Sequence, residues 1–211
     1  LRQRVAFALS EIVVAGDRPE AFSGESIGFA NFYDLMIKHA FGNYKDLLFD
    51  VATHPIMGTY LSHLNNQKAN PAANTYPDEN FAREIMQLFS IGLWELETNG
   101  LRKTYPVGHP LVGQFIPTYS NADITELARV FTGMTFANLP FPGTNGDYTL
   151  PMRMVDAYHD FGAKSLLGGL IIPARTADPM NPGVEGFKDV TDAVNILFNH
   201  ANVGPFISRQ L

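Results

Sequence analysis

The sequence contains no cysteine. This absence excludes disulfides, thiolate metal sites and cysteine nucleophiles together, and it leaves the redox compartment undecided. No run of about 18 apolar residues occurs, so we expect no membrane-spanning segment. The formal net charge of −6 excludes a general attraction to nucleic acid or to an anionic membrane surface.

Motifs that mark phosphate and metal sites are absent as well. The chain has no phosphate-binding Gly-x-x-x-x-Gly-Lys-Ser/Thr loop, no His-Glu-x-x-His motif and no calcium-loop pattern. We therefore expect no metal site, and the residues identify no cofactor. His54, before Pro55, and His63 stand alone, so we interpret them as capping or packing histidines.

The segment Pro77–Gly92 predicts the helix around which the chain is organised. Pro77 suits a first turn, because its missing N–H would be unpaired there, and Gly92 can adopt the left-handed conformation that ends a helix. Apolar residues recur at helical spacing and predict one buried face. The other faces of this helix concentrate polar side chains: Glu79, Asn80, Arg83, Glu84 and Gln87.

The remaining pattern predicts a mainly α fold, an irregular helical bundle or array with a small β-hairpin and long Pro/Gly-rich loops. Four short helices precede residue 65, and the segment 16–19 ends the first of them. Ser120 and Asp123 form a capping box for a helix over 121–132, and Gly168-Gly169 predicts a hairpin over 164–172. A last complete helix is predicted over 187–198.

We find no internal repeat and no interdomain linker, so residues 1–211 are predicted to form a single domain. The chain begins inside a helical pattern without an initiator Met and stops early in another helix, which Pro205 is expected to start. We therefore expect it to be an excerpt of a longer protein.

Titratable groups within reach of one another are what a general acid–base or hydrolytic site requires. The candidates for catalysis are Glu79, Glu84, His159 and Asp160, with Glu84 or His159 as the base. The candidates for binding an anionic substrate are Asn80, Arg83, Arg129 and Lys164. These residues predict a polar cleft of hydrolase-like character.

Two other interpretations stay open. Glu79 and Arg83 have the spacing of a helical ion pair, and Arg129 or Lys164 could neutralise Glu84 in a buried polar lock between the two central helices. The chain would then be a non-catalytic scaffold, or a module that binds a partner or a glycan through its loops. Aromatic residues in or beside those loops would form a platform if exposed together, and part of the core if buried separately: Phe115, Tyr119, Phe136, Phe141 and Tyr148.

Four blocks of the sequence together resemble a bacterial family called the domain of unknown function 1800 family. The matching blocks are Pro77–Glu84 with Gly92, Asp123–Gly133, His159–Lys164 with Leu167-Gly168, and Asn199-His200 with Arg209–Leu211. The order and spacing of these blocks carry the resemblance, which covers most of the chain.

This resemblance implies a mainly helical, exported bacterial protein. It implies an extracytoplasmic location, meaning the periplasm, the cell surface or the medium, and a sulfatase-like exported protein as a partner. Neither expectation follows from the residues themselves. Nothing in the sequence indicates the substrate or the oligomeric state.

Overall fold

The computed structural model describes residues 1–16, 22 and 24–211. In these residues the chain forms eight α-helices and two small antiparallel sheets, which confirms the predicted fold class. The helices are α1 (Arg2–Ile12), α2 (Ser26–His39), α3 (Tyr44–Ala52), α4 (Pro55–Tyr60), α5 (Asn80–Gln87), α6 (Asn121–Val130), α7 (Val184–Phe198) and α8 (Val203–Gln210). The strands are β1 (Met134–Thr135), β2 (Arg153–Met154), β3 (Lys164–Leu166) and β4 (Leu170–Ile172).

The first four helices follow the predicted pattern of short helices joined by brief turns. Helix α1 packs on α2, α2 packs on α3, and α4 contacts both α2 and α3. Asn43 caps α3 by accepting from the Lys45 amide, and His54 caps α4 through Nδ1. The predicted break at Asp17-Arg18-Pro19 lies outside the described residues.

Helix α5 is shorter than the predicted span Pro77–Gly92. The side chain of Asn66 binds both the backbone N–H and the carbonyl of Asp78, and Asp78 Oδ1 accepts from the Asn80 amide at 2.8 Å. These bonds keep the chain before Asn80 out of the helix. At the other end, the Met86 carbonyl accepts from Gly92 at 2.9 Å, which closes a wider turn after Gln87.

Helix α6 begins with the predicted capping box. Ser120 accepts from the Asp123 amide, and the Asp123 carboxylate accepts from the Ser120 amide at 2.7 Å. The helix packs against α5, α7 and β3. It therefore forms the element that connects the central helix to the C-terminal half.

The two sheets are both two-stranded. Strands β3 and β4 pair antiparallel, with Lys164 opposite Ile172 and Leu166 opposite Leu170, which confirms the predicted hairpin. Strand β2 pairs antiparallel with β1. The segment 93–118 forms isolated antiparallel bridges, among them Leu96 with Arg102.

The buried apolar side chains form one continuous cluster to which all eight helices contribute. Met134, Met154, Leu166 and Ile172 add one side chain from each strand. In the part of the chain that the structure describes, no helix has the length and apolar character needed to cross a membrane.

Candidate functional site

The eight side chains predicted for the site lie in three places. His159, Asp160, Lys164 and Arg129 belong to a buried network centred on Asp189. Glu79 and Arg83 pair with each other, and Asn80 and Glu84 line a surface pocket. Among the described residues, no hydrogen bond or ion pair joins one of these groups to another.

Asp189, on α7, is the centre of the buried network and is fully shielded from solvent. Its Oδ2 accepts from Lys164 Nζ at 2.5 Å and lies 3.2 Å from His159 Nε2. Its Oδ1 accepts from the Arg175 guanidinium. Burial by itself would raise the pKa of Asp189. The hydrogen bonds and electrostatic interactions with His159 and Lys164 together outweigh burial, so the pKa lies below that of an ordinary aspartate.

Lys164 and His159 have no polar atom left for a substrate. Lys164 Nζ also donates to the carbonyls of Asp160 at 2.5 Å and Gly162 at 2.9 Å, so its three protons are all used. His159 Nδ1 lies 2.8 Å from the Thr132 carbonyl. Because both ring nitrogens of His159 face acceptors, the ring donates at both only when it carries both protons.

Arg129, on α6, extends the network toward the surface. Its guanidinium binds Asp160 in a two-point contact at 2.8 and 3.0 Å, and it donates to Glu126 at 2.6 Å. Burial raises the pKa of Asp160, but the hydrogen bonds from Arg129 and the Gly162 amide and the charges of Arg129 and Lys164 together lower it overall. The predicted partner of Arg129 or Lys164 was Glu84, whereas the structure pairs these two cations with Asp160 and Asp189.

Glu79 and Arg83 form the expected ion pair one helical turn apart, with 3.5 Å between Oε2 and Nη2. Glu79 Oε1 also accepts from the Thr125 hydroxyl at 2.7 Å, which links the start of α5 to α6. Both side chains of the pair are partly exposed to solvent. This arrangement fits a surface contact between helices.

Glu84 lines a surface pocket with a volume of about 490 Å³, named here the Glu84 pocket. Its lining consists of Val14, Tyr60, Leu61, Asn80, Glu84, Gln87, Leu88 and Phe89. Glu84 Oε2 is buried and has no hydrogen-bond partner among the described residues. Burial raises the pKa of the Glu84 carboxyl, and the positive charge of Arg83 offsets part of this rise.

A second pocket adjoins the first, because Gln87 and Leu88 line both. This Trp94 pocket has a volume of about 420 Å³. Its lining consists of Gln87, Leu88, Leu93, Trp94, Leu96, Arg102, Phe206, Arg209 and Gln210. The lining combines apolar side chains with two guanidinium and two amide groups, which is the usual composition of a ligand pocket.

The chemistry available in these two pockets is limited. Glu84 is the only carboxylate in either lining, and neither lining contains a histidine, serine or threonine. A hydrolase uses at least two such groups with separated pKa values. In the described part of the chain, no three His, Asp or Glu side chains come together as they would around a metal ion.

The segment Gly24–Gly28 has the Gly-x-Ser-x-Gly spacing of a nucleophile elbow. In that motif the serine lies on a sharp turn between a strand and a helix, and a histidine lies within hydrogen-bond reach. Ser26 is instead the first residue of α2, and all four described strands follow it in the chain. The structure shows no bond from Ser26 to a histidine in the residues it describes.

The aromatic residues predicted for the loops do not form one platform. Phe136 and Tyr148 are buried and pack edge to face, with ring centroids 5.0 Å apart. Phe141 stacks on Tyr158, and Tyr119 donates to Gln87 at 3.3 Å. Phe115 is exposed and lies 5.7 Å from Trp94 between ring centroids.

Two kinds of important residue were missed at the level of sequence. Asp189 lies three residues after Gly186 and four before Ala193, so it shares their buried helical face, and an aspartate there signals a buried charge. Arg175 lies in the loop between β4 and α7, and its side chain is nevertheless largely buried. The Trp94 pocket could not be predicted from local sequence patterns, because its lining combines residues 87–102 with residues of α8, which are distant in the sequence.

Comparison with known proteins gives one match. The model of the family described as proteins of unknown function, DUF1800, matches residues 1–211. The comparison with curated proteins and the comparison with solved structures each found no match. Since the family model covers the whole sequence, this chain belongs to the DUF1800 family.

Proposed function

We propose that this chain is a non-catalytic binding module that holds a glycan in the Glu84 and Trp94 pockets. One contrast carries this proposal. His159 and Lys164, which were predicted to act on a substrate, are fully buried with their polar atoms paired, whereas Glu84 lines an open pocket and its buried Oε2 has no hydrogen-bond partner among the described residues. Buried and mutually paired groups support a structural role for the Asp189 network.

The polar groups of the two pockets suit a ligand that carries hydroxyl groups. Glu84 accepts hydrogen bonds only, while the side-chain amides of Asn80 and Gln87 both donate and accept. A sugar offers hydroxyls that do both, so each group finds a complementary partner. Trp94 adds an amphipathic ring on which the apolar face of a sugar can pack.

The hydrolase-like alternative rests on Glu84. A carboxyl whose pKa is raised by burial in a pocket has the character of a general acid. Under this alternative Glu84 would donate a proton to a leaving group, and a second group outside the two linings would activate water. The binding module requires no turnover, so the two proposals differ in what the protein does to a bound glycan.

The extracytoplasmic location and the sulfatase-like partner remain proposals that rest on the family resemblance. An exported binding module would meet polysaccharides outside the cytoplasm, so the location and the proposed ligand class agree. Proteinase accessibility of the protein on intact cells tests the location independently of any ligand.

The experiment compares wild type with Glu84→Gln on soluble oligosaccharides, with both binding and cleavage measured. We expect wild type to bind without forming products, and Glu84→Gln to bind about tenfold more weakly, because a charge-assisted hydrogen bond is lost. Asp34→Asn is the matched control, since it makes the same change of carboxylate to amide on an exposed part of α2. Cleavage by wild type that Glu84→Gln abolishes would establish the hydrolase-like alternative instead.

A further inference from the structure

The Trp94 pocket differs from the rest of this acidic molecule in its charge. Its lining includes two arginines, Arg102 and Arg209, and no aspartate or glutamate, although the chain as a whole has a formal charge of −6. We infer that this pocket binds a carboxylate of the ligand, so that the glycan is an acidic one built from uronic acids. This inference rests on the proposed function and specifies its ligand class.

The guanidinium groups of Arg102 and Arg209 have N–H donors that bind no carboxylate in the described part of the chain. In the described part of the chain, neither Arg102 nor Arg209 lies within ion-pair distance of a carboxylate. The Arg102 guanidinium lies over the Phe115 ring, 5.0 Å from its centroid, and Arg209 makes a long contact of 3.4 Å with the Gly100 carbonyl. An arginine has five N–H donors in a fork that matches a carboxylate, so most of this capacity faces solvent and the pocket.

The one acidic residue in the segment next to this pocket does not line it. In the segment after Gly92, the side chains of Leu93, Trp94 and Leu96 line the pocket, whereas that of Glu95 does not. Glu95 pairs instead with Lys103 at 3.4 Å. The positive charge of the two arginines is therefore not neutralised at the pocket, and it attracts an anion.

The adjoining pockets impose a direction on such a ligand. Gln87 and Leu88 line both pockets, so a chain-like ligand can occupy both by passing over these two residues. The carboxylate of Glu84 repels an anionic group and accepts from hydroxyls, whereas the arginines attract the anionic group. The uronate carboxylate therefore lies in the Trp94 pocket and neutral hydroxyls lie beside Glu84.

An acidic peptide is the competing occupant, because Leu88, Leu93 and Leu96 could contact apolar side chains. The amide groups of Gln87 and Gln210 and the carboxylate of Glu84 favour the sugar. A peptide rich in aspartate and glutamate offers few donors to Glu84 and places like charges near it.

The test is calorimetric titration of the protein with oligogalacturonate and oligomannuronate, each compared with its fully methyl-esterified form. Esterification removes the charge and keeps the ring hydroxyls. We expect at least one acidic oligomer to bind about tenfold more tightly than its ester, and increasing salt to reduce this preference.

The double variant Arg102→Gln/Arg209→Gln is expected to lose the preference while still binding the ester. Arg4→Gln, an exposed arginine on α1, is the matched control and is expected to behave as wild type.

The outcomes separate this inference from the proposed function. Equal binding of acid and ester, or a preference that survives the double variant, would overturn the inference and leave a neutral glycan as the ligand. Tighter binding of a poly-glutamate peptide than of either acidic oligomer would overturn it in favour of an acidic protein partner. Binding of none of the acidic, esterified or neutral oligosaccharides would overturn both the inference and the proposed function.

Discussion

At the scale of single residues, the main finding is that charge in this protein is used in two different ways. Asp189 is buried among three nitrogen-bearing side chains, His159, Lys164 and Arg175, which compensate for the loss of water around its carboxylate. Glu84 has a buried oxygen with no such compensation. Breaking the first arrangement would leave an uncompensated buried charge, and the unpaired oxygen of the second already costs stability.

Removal of Lys164 tests the structural role of the first arrangement. We expect Lys164→Met to lower the free energy of unfolding by about 3–5 kcal/mol, because breaking a buried ion pair leaves an uncompensated charge. Lys188→Met is the control, since Lys188 is exposed and pairs with Glu185 at the surface, where such a change costs about 0–1 kcal/mol. Urea unfolding measures both. Similar stabilities of the two variants would show that the Asp189 network does not hold the fold together.

For Glu84 we predict the opposite effect, in which replacing the charged side chain raises the free energy of unfolding. Because its pKa is raised in the folded protein, the ionised form is disfavoured there, and the protein loses stability as pH rises from the unfolded pKa of about 4.3 through the folded pKa. Glu84→Gln is therefore expected to be more stable than wild type above this range, by about 0.5–1 kcal/mol after allowance for solvent screening. The difference in stability between Glu84→Gln and wild type should vanish below this pH range. Urea unfolding at several pH values measures the difference, and a constant difference at all pH values would contradict the assignment.

At the scale of elements, local sequence signals predict where helices lie better than where they end. The capping box at Ser120 fixes the start of α6 as expected. The start of α5 was predicted at Pro77, but it is set at Asn80 by the side chain of Asn66, which belongs to a separate segment. Such a contact has no signature in the periodicity of the helix itself.

Gly92, which follows the wide turn after α5, provides a test at this scale. It has φ +70°, and a Cβ placed on it would lie 2.5 Å from the Phe206 ring. We expect Gly92→Ala to lower the free energy of unfolding by about 2–4 kcal/mol, through a left-handed conformation and a steric clash combined. Gly108→Ala is the matched control, because Gly108 also has a positive φ and no atom lies near its Cβ position.

Chemical denaturation of the two glycine variants separates the two costs. The control is expected to lose only about 1–2 kcal/mol, the cost of the backbone conformation. If both variants lose the same amount, then Phe206 does not pack against Gly92 as described, and the shape of the Trp94 pocket near Phe206 would be in question.

At the scale of the whole molecule, the fold class followed from the sequence and the site did not. Periodicity and caps are local, so the helices and the hairpin at Gly168-Gly169 could be predicted. The pairing of Lys164 with Asp189 and the approach of Arg209 to Trp94 depend on tertiary packing between distant segments. Residue types alone therefore suggested one polar centre, where the structure has a buried network and separate surface pockets.

The stability of the whole molecule in acid gives a further prediction. Asp50, Asp160 and Asp189 all have pKa values lowered in the folded protein, because burial raises each pKa but hydrogen bonds and neighbouring positive charges together lower it by more. Each contributes stability that is present above the unfolded pKa of about 3.9 and is lost as pH falls through the lower folded pKa. We therefore expect the thermal midpoint to fall steeply below about pH 4.

The variant Asp160→Asn identifies the source of this acid sensitivity. It is expected to be less stable than wild type at neutral pH and to show a shallower loss on acidification, because one of the carboxyl groups with a lowered pKa is gone. Asp34→Asn serves again as the exposed control and should keep the wild-type profile. An unchanged slope for Asp160→Asn would contradict the role given to its pair with Arg129.

The most direct test of the account is a fluorescence titration, because Trp94 is the only tryptophan of the chain and lines the proposed pocket. We predict a saturable change in its emission on addition of an acidic oligosaccharide, with a weaker response in Arg102→Gln/Arg209→Gln and an unaltered one in Arg4→Gln. A ligand that binds without changing the emission, or with equal affinity in both variants, would contradict the claim that the ligand site lies on α5 beside Trp94.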